Sequence, residues 1–185
     1  IYRIVYYILL SMSYLTKKPT PEKNEKGIYV ITEKYCCDLS EYSGHYSIPK
    51  FINGLHLHFK GFQKIENLGS FVNLQVLYLE NNCISKIEGL ESLSQLCCLY
   101  LMNNFICELT GLENNKNIVL LNVSHNKIKS VSNISHLTKL QTLTLDNNLI
   151  ENPNHISEIS SLSSLSVFGL NDNLIDEPVI ANQFC

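Results

Sequence analysis

No stretch of this 185-residue chain holds the roughly 18–20 consecutive apolar residues that a membrane-spanning helix requires. Nor is there a large basic field. With 14 Lys and Arg against 17 Asp and Glu, the net charge is -3 and the signs are interspersed. That removes phosphate neutralisation as a route to nucleic acid. The short motifs of catalysis are missing too: no P-loop, GxSxG elbow, HExxH helix or dinucleotide fingerprint. The seven cysteines (Cys36, Cys37, Cys83, Cys97, Cys98, Cys107, Cys185) form no CxxC or zinc-type spacing. Adjacent pairs such as Cys97 and Cys98 do not readily bridge each other, so the thiols read as reduced and the compartment as cytoplasmic. Neither a cofactor nor a metal is expected.

The chain opens on "IYRIVYYILL", apolar with one arginine, which suggests a signal peptide. The next residues, "SMSYLTKKPTPEK", offer no small-residue cleavage site. Met12 is therefore the expected initiator, with residues 1–11 lying upstream of it. Residues 1–31 as a whole are expected to be upstream or disordered sequence, since "TKKPTPEKNEKG" is polar and proline-bearing. Asn122-Val123-Ser124 and Asn133-Ile134-Ser135 match a glycosylation sequon that often occurs by chance.

From Leu55 onward the chain repeats itself. Leu55, Leu77, Leu99, Leu121 and Leu143 recur every 22 residues, and Phe168 follows after 25. Each unit opens with two apolar residues flanking one other, as in Leu77/Leu79, and alternation of this kind makes a strand with one buried face. Three residues on comes Lys60, then Asn82, Asn104, Asn126, Asn148 and Asn173. A primary amide has donors and an acceptor to satisfy backbone groups where the chain leaves a strand. Apolar residues at three-residue steps follow, such as Ile87, Leu90, Leu93 and Leu96, suiting a tight 3₁₀ or helical return. This is the leucine-rich-repeat pattern. The expected fold class is α/β, a leucine-rich-repeat solenoid of about six 22–25-residue repeats. Its parallel β-sheet lines the concave face, and 3₁₀ or short helices line the convex face.

Departures from the pattern carry their own expectations. Asn115 stands at a convex apolar position and should weaken the third repeat locally. Asn152 and Pro153 suggest a true helix in the longer fifth repeat. Residues 32–54 are expected to form an N-terminal helical cap. Thr32 opens a helix over about 33–43, Gly44 ends it, and Tyr35, Leu39 and Tyr42 form its apolar stripe. Residues 55–185 are the repeats. The array reaches "DEPVIANQFC", with Pro178 placed to begin another helix and no cap for the last open face, so the chain is expected to be truncated there.

Strand alternation puts His56 and His58 on the exposed, concave face, followed along the array by Tyr78 and Glu80, Tyr100 and Met102, then Asn122 and Ser124. Neighbouring strands lie about 4.8 Å apart, so His58 and Glu80 should touch. A metal site would need a third ligand, and Cys98 lies two strands away. A His–Glu acid/base pair has no closed pocket to work in. His136 and His155 fall on convex turns and His125 precedes a ladder asparagine. Solvated polar residues on an exposed strand remain one reading of the face. Partner binding is the other, because the face runs from aromatic to small and polar, and tyrosines on a rigid surface are typical interface anchors. The candidate partner-binding residues are His56, His58, Tyr78, Glu80, Tyr100, Met102 and Asn122.

"LHLHFKGFQKIENL" together with "LYLENNCISKIEGLESLSQL" resembles the first repeats of the dynein axonemal assembly factors, SDS22-like leucine-rich-repeat proteins of motile cilia. The more specific part is His58, Phe59, Lys60 and Gly61 with Ile65, Glu66 and Asn67. The resemblance runs from about Thr32 to Cys185 and takes in the longer fifth repeat and the turn at Asp176 and Pro178. It implies a cytoplasmic factor for cilia or flagella that helps preassemble dynein arms by binding. Its partners would be axonemal dynein chains or assembly chaperones. A second resemblance is to SDS22-type regulatory subunits of protein phosphatase 1 or another leucine-rich-repeat adaptor. Those rely on acidic and aromatic residues along the whole concave face, whereas Glu80 and Asp146 are the only acids on the inner positions here.

Overall fold

The computed structural model describes residues 17–175. The expectations about Met12, the turn at Asp176, a helix from Pro178 and the end of the array lie outside these residues. Six three-residue strands carry the repeats: β3 (Gly54–His56), β4 (Val76–Tyr78), β5 (Cys98–Tyr100), β6 (Leu120–Asn122), β7 (Thr142–Thr144) and β8 (Val167–Gly169). They form one parallel sheet in sequence order. Leu55, Leu77, Leu99, Leu121, Leu143 and Phe168 stand in register across it. The five leucines of that row are buried, and each fully buried leucine is worth roughly 1.5–3 kcal/mol over an exposed one.

The asparagines couple the repeats. Asn104 Nδ2 donates to the Leu79 carbonyl of the preceding repeat at 3.0 Å and to its own repeat's Leu101 carbonyl at 3.0 Å. Its Oδ1 accepts from the Ile84 amide at 3.0 Å. Asn82, Asn126, Asn148 and Asn173 make the same set one repeat away each time. Lys60 holds this register in the first repeat, where no preceding repeat offers groups to satisfy. Its own amide instead donates to Asn82 Oδ1 at 3.1 Å.

The convex returns of the first four repeats are strings of turns rather than helices. Phe71 donates to Leu68 and Leu74 to Phe71, and the pattern recurs at Leu93 and Leu96, and at Leu137 and Leu140. Asn115 keeps these backbone bonds. Contrary to a simple weakening, its amide is fully buried and donates to the Leu90 and Leu93 carbonyls at 3.0 Å each. The cost falls on Oδ1 alone, which has no hydrogen-bond partner among the described residues. Between strand and return, Gly111 (φ +87) is irreplaceable, because a Cβ there would lie 1.9 Å from the Ile87 carbonyl oxygen.

The fifth repeat does carry a helix, but a 3₁₀ helix over Pro153–Ser161, with Asn152 capping the Asn154 amide at 2.9 Å. Ile156 and Ile159 on this helix, and Leu162 just after it, are buried. Their three-residue spacing matches the eclipsed 3₁₀ period and not 3.6. Glu158 on this helix accepts from the Asn133, Ile134 and Ser135 amides. In the second and third repeats Glu91 and Glu113 accept the equivalent Gly89 and Gly111 amides from within the repeat.

The N-terminal cap is helix α1 (Glu33–Tyr42), with Thr32 accepting from the Tyr35 amide at 3.1 Å. Gly44 (φ +81) ends it in a Schellman arrangement: its amide reaches Glu41 and that of His45 reaches Ser40. Tyr35 and Leu39 are buried as expected. Tyr42, the last helical residue, is 40 % exposed and Cys36 fills the stripe instead, since residues 35, 36 and 39 share one helical face. A one-turn 3₁₀ helix, Pro49–Phe51, leads into β3.

Part of the segment expected to be disordered is ordered. Strands β1 (Glu22–Lys23) and β2 (Tyr29–Val30) form an antiparallel hairpin. Asn24 Oδ1 accepts from the Lys26 and Ile28 amides, an Asx turn that bulk polarity does not reveal. Ile31, just outside the expected cap boundary, is fully buried, and its carbonyl accepts from Asn67 at 2.8 Å.

Replacing Asn104 by alanine orphans the buried Ile84 amide and takes one of two donors from each of the Leu79 and Leu101 carbonyls, which keep Asn82 and Asn126. With the orphaned amide costing about 1–3 kcal/mol and each lost carbonyl bond about 0.5–1.5 kcal/mol, Asn104→Ala should destabilise the protein by about 2 kcal/mol or more. Asn117→Ala, which removes two exposed bonds, one to the Ser94 carbonyl and one from Lys139 Nζ, should cost under about 1 kcal/mol. Urea denaturation compares the two, and equal losses would refute the ladder as the main coupling.

Candidate partner-binding face

The concave face is built by strand alternation. While Leu55 and Leu57 point into the core, His56 and His58 point away from it, and the same holds for each later pair. Because the register is fixed at one residue per strand, His56, Tyr78 and Tyr100 fall in one row. Their rings stack. His56 lies 4.4 Å from Tyr78 with planes 7° apart, and Tyr78 lies 4.8 Å from Tyr100 with planes 6° apart. These distances match the strand spacing of about 4.7–4.9 Å, so the sheet itself holds the rings at stacking distance.

The second row runs beside the first. His58 Nδ1 lies 3.7 Å from Glu80 Oε1, too far for a hydrogen bond. Glu80 Oε2 and His58 Nδ1 are both buried without a hydrogen-bond partner among the described residues. Asn122 closes the column. Its Nδ2 approaches Met102 Sδ at 3.4 Å, and its Oδ1 accepts from the Ser124 amide and hydroxyl at 3.1 and 2.8 Å. Further along, Asp146 Oδ1 accepts from the Asn171 amide at 2.7 Å. All seven candidate residues thus sit on one surface: three in the ring column, two in the His58–Glu80 contact, and Met102 with Asn122 at the boundary.

One surface residue was missed. Phe59 lies 5.7 Å from the His58 ring, edge to face, and is 69 % exposed. It adopts φ 56, which is uncommon for a bulky side chain. The equivalent residues Asn81, Asn103, His125, Asn147 and Asp172 share that conformation, and their types favour it. The signal was available as the residue before each ladder position, where phenylalanine is the exception.

Burial of the His56 ring lowers its pKa from the usual 6.5, and the nearby charges of His58 and His45 push the same way, while Glu80 opposes them. Burial also raises the Tyr100 phenol, with smaller contributions from Cys98, Tyr78 and Glu80. His56 and Tyr100 therefore favour their uncharged forms at neutral pH. Among the described residues no trio of His, Cys, Asp and Glu stands close enough to hold a metal ion. Nor is any described helix long and apolar enough to cross a membrane.

Since folding favours neutral His56, the stability it contributes is complete above about 6.5 and is lost as pH falls through its lower folded-state value. In an NMR titration His56 should titrate below 6.5. Glu80→Gln, which removes the one raising influence, should move it lower still, and an upward move would contradict this electrostatic account.

Comparison with known proteins agrees with the fold. A family model described as leucine-rich repeats (2 copies) matches residues 72–114. A dynein axonemal assembly factor 1 homolog from Drosophila pseudoobscura pseudoobscura is 42 % identical over 59 residues, which is 32 % of this chain and 4 % of that protein. The homolog from Drosophila erecta is 38 % identical over 63 residues, 34 % of this chain and 4 % of that protein. The match therefore spans a small fraction of either relative's length. Among solved structures, a leucine-rich-repeat protein of Leptospira interrogans superposes with a TM-score of 0.66 at 24 % identity, over 84 % of this chain and 38 % of that one. An internalin from Listeria monocytogenes gives 0.60 at 23 % identity, over 80 % and 54 %. The chain is a leucine-rich-repeat solenoid, and its repeats resemble those of the dynein axonemal assembly factor 1 homologs.

Proposed function

We propose that this leucine-rich-repeat chain acts by binding and not by catalysis, capturing a protein partner on the N-terminal half of its concave face. The observation that carries the reading is the column His56–Tyr78–Tyr100. Three rings fixed by backbone register offer a partner apolar area and two phenols with little further ordering cost on binding. The names of the two Drosophila relatives support a finer reading. In it the chain works in the cytoplasm in the preassembly of axonemal dynein arms for motile cilia or flagella. Its partners are then dynein chains or the chaperones that assemble them. A role as an SDS22-like regulatory subunit of protein phosphatase 1, or as a general adaptor, is the second reading. It fits less well, because the acidic residues of the inner rows are confined to Glu80 and Asp146.

The test is Tyr78→Ala combined with Tyr100→Ala in the full protein. Aromatic anchors at interface centres contribute about 2 kcal/mol or more each. Capture of dynein chains or assembly chaperones from cytoplasm of ciliated cells should therefore fall by about 30-fold or more, with the circular dichroism spectrum unchanged. Unaltered co-purification by the double mutant would sink the concave-face reading. Capture of phosphatase 1 in place of dynein-related proteins would favour the second reading.

A further inference from the structure

The ring column has two ends, and they differ. At the Tyr100 end the next residue in the row is Asn122, whose amide is engaged with Met102 and Ser124. At the His56 end, on the first strand of the sheet, no further ring is stacked among the described residues. A cavity of about 270 Å³ opens there instead. His56, Tyr78, Gly54 and Gln75 form its sheet side, and Ser40, Ser43 and His45 from the end of α1 and the turn beyond it form its cap side.

Size and chemistry narrow what such a space takes. It falls below the roughly 300–1,000 Å³ of pockets that enclose a small-molecule ligand, and is the scale of one side chain. Among the described residues, neither a carboxylate nor a Lys or Arg lines it. An arginine or a carboxylate entering it would be desolvated without a counter-charge. A neutral group escapes that cost. One wall is formed by the first two rings of a parallel stack, and aromatic pairs gain from offset stacking beyond their buried area. The rim has hydroxyls: Ser43 Oγ donates to the Leu39 carbonyl at 2.9 Å, which leaves its lone pairs free to accept from a phenol.

We propose that the cavity between the end of α1 and the first two strands receives an uncharged aromatic side chain, tyrosine first, of the protein partner, seated against the His56 and Tyr78 rings at the end of the ring column. This rests on the concave face being the partner surface. It adds the chemistry of the partner's anchoring residue and places that residue at the junction of cap and sheet.

The experiment is an NMR titration of the isotope-labelled protein with N-acetyl-tyrosinamide. N-acetyl-leucinamide, N-acetyl-argininamide and adenosine serve as comparison probes. Saturable shifts are expected at Gly54, His56 and Val76 with the tyrosine probe, at a Kd on the order of millimolar for a lone side chain, and much smaller ones with leucinamide and argininamide. Gln75→Trp, which puts an indole of the protein's own at the cavity mouth, should abolish the shifts. His56→Ala should weaken binding at least about fivefold. Absence of shifts, equal response to leucinamide, or a stronger response to adenosine would each overturn the proposal. So would full binding by both variants. The titration needs no partner, so it can fail while the Tyr78 and Tyr100 mutant still loses capture, which leaves the partner-surface reading standing. Conversely, retained capture by that double mutant overturns the surface reading whatever the probe does.

Discussion

The amide of one asparagine per repeat is the bond set on which the rest of the molecule depends. Each unit is too short to enclose a core, so its leucines are buried only when the neighbouring unit lies in register. Asn82, Asn104, Asn126, Asn148 and Asn173 impose that register, donating to a carbonyl of the repeat before and accepting from its amide. The hydrophobic effect supplies the driving force but no direction. The ladder supplies the direction, and sheet, turns and core follow from it.

The concave face is a consequence of that register. Once strands are locked one residue to one residue, any residue type repeated at the same position becomes a column. Leucine in the inward row makes the core. His56, Tyr78 and Tyr100 in the outward row make parallel rings at 4.4 and 4.8 Å. A surface assembled this way is rigid without local bracing of each side chain, which suits recognition. The same register sets the column's limits, at Asn122 on one side and at the cavity beside α1 on the other.

Much of this was legible from residue types and spacing. The leucine rows, the asparagine ladder and the His58–Glu80 contact follow from periods of 2, 3 and 22 read along the chain, and the Thr32 cap and the stop at Gly44 from residue type. The candidate surface was legible as a set of positions, though not as a stack. The features that escaped did so for physical reasons. The hairpin at residues 22–30 depends on the Asn24 Asx turn, a local bond hidden in a polar stretch. Asn115 looked like a flaw in the apolar row, yet the preceding repeat offers two carbonyls to its amide. Glu158 serves amides 23 to 25 residues earlier, a partnership with no signal at the level of a single repeat.

The sequence by itself determined the repeat, its register and which side chains face outward, because strand alternation and a fixed period leave one consistent assignment. Tertiary structure decided how those outward residues meet. Ring planes, the 3.7 Å gap between His58 and Glu80 and the cavity beside α1 depend on side-chain rotamers and on the placement of the cap against the first repeat. Both arise from contacts between segments distant in the chain, and no local pattern encodes them.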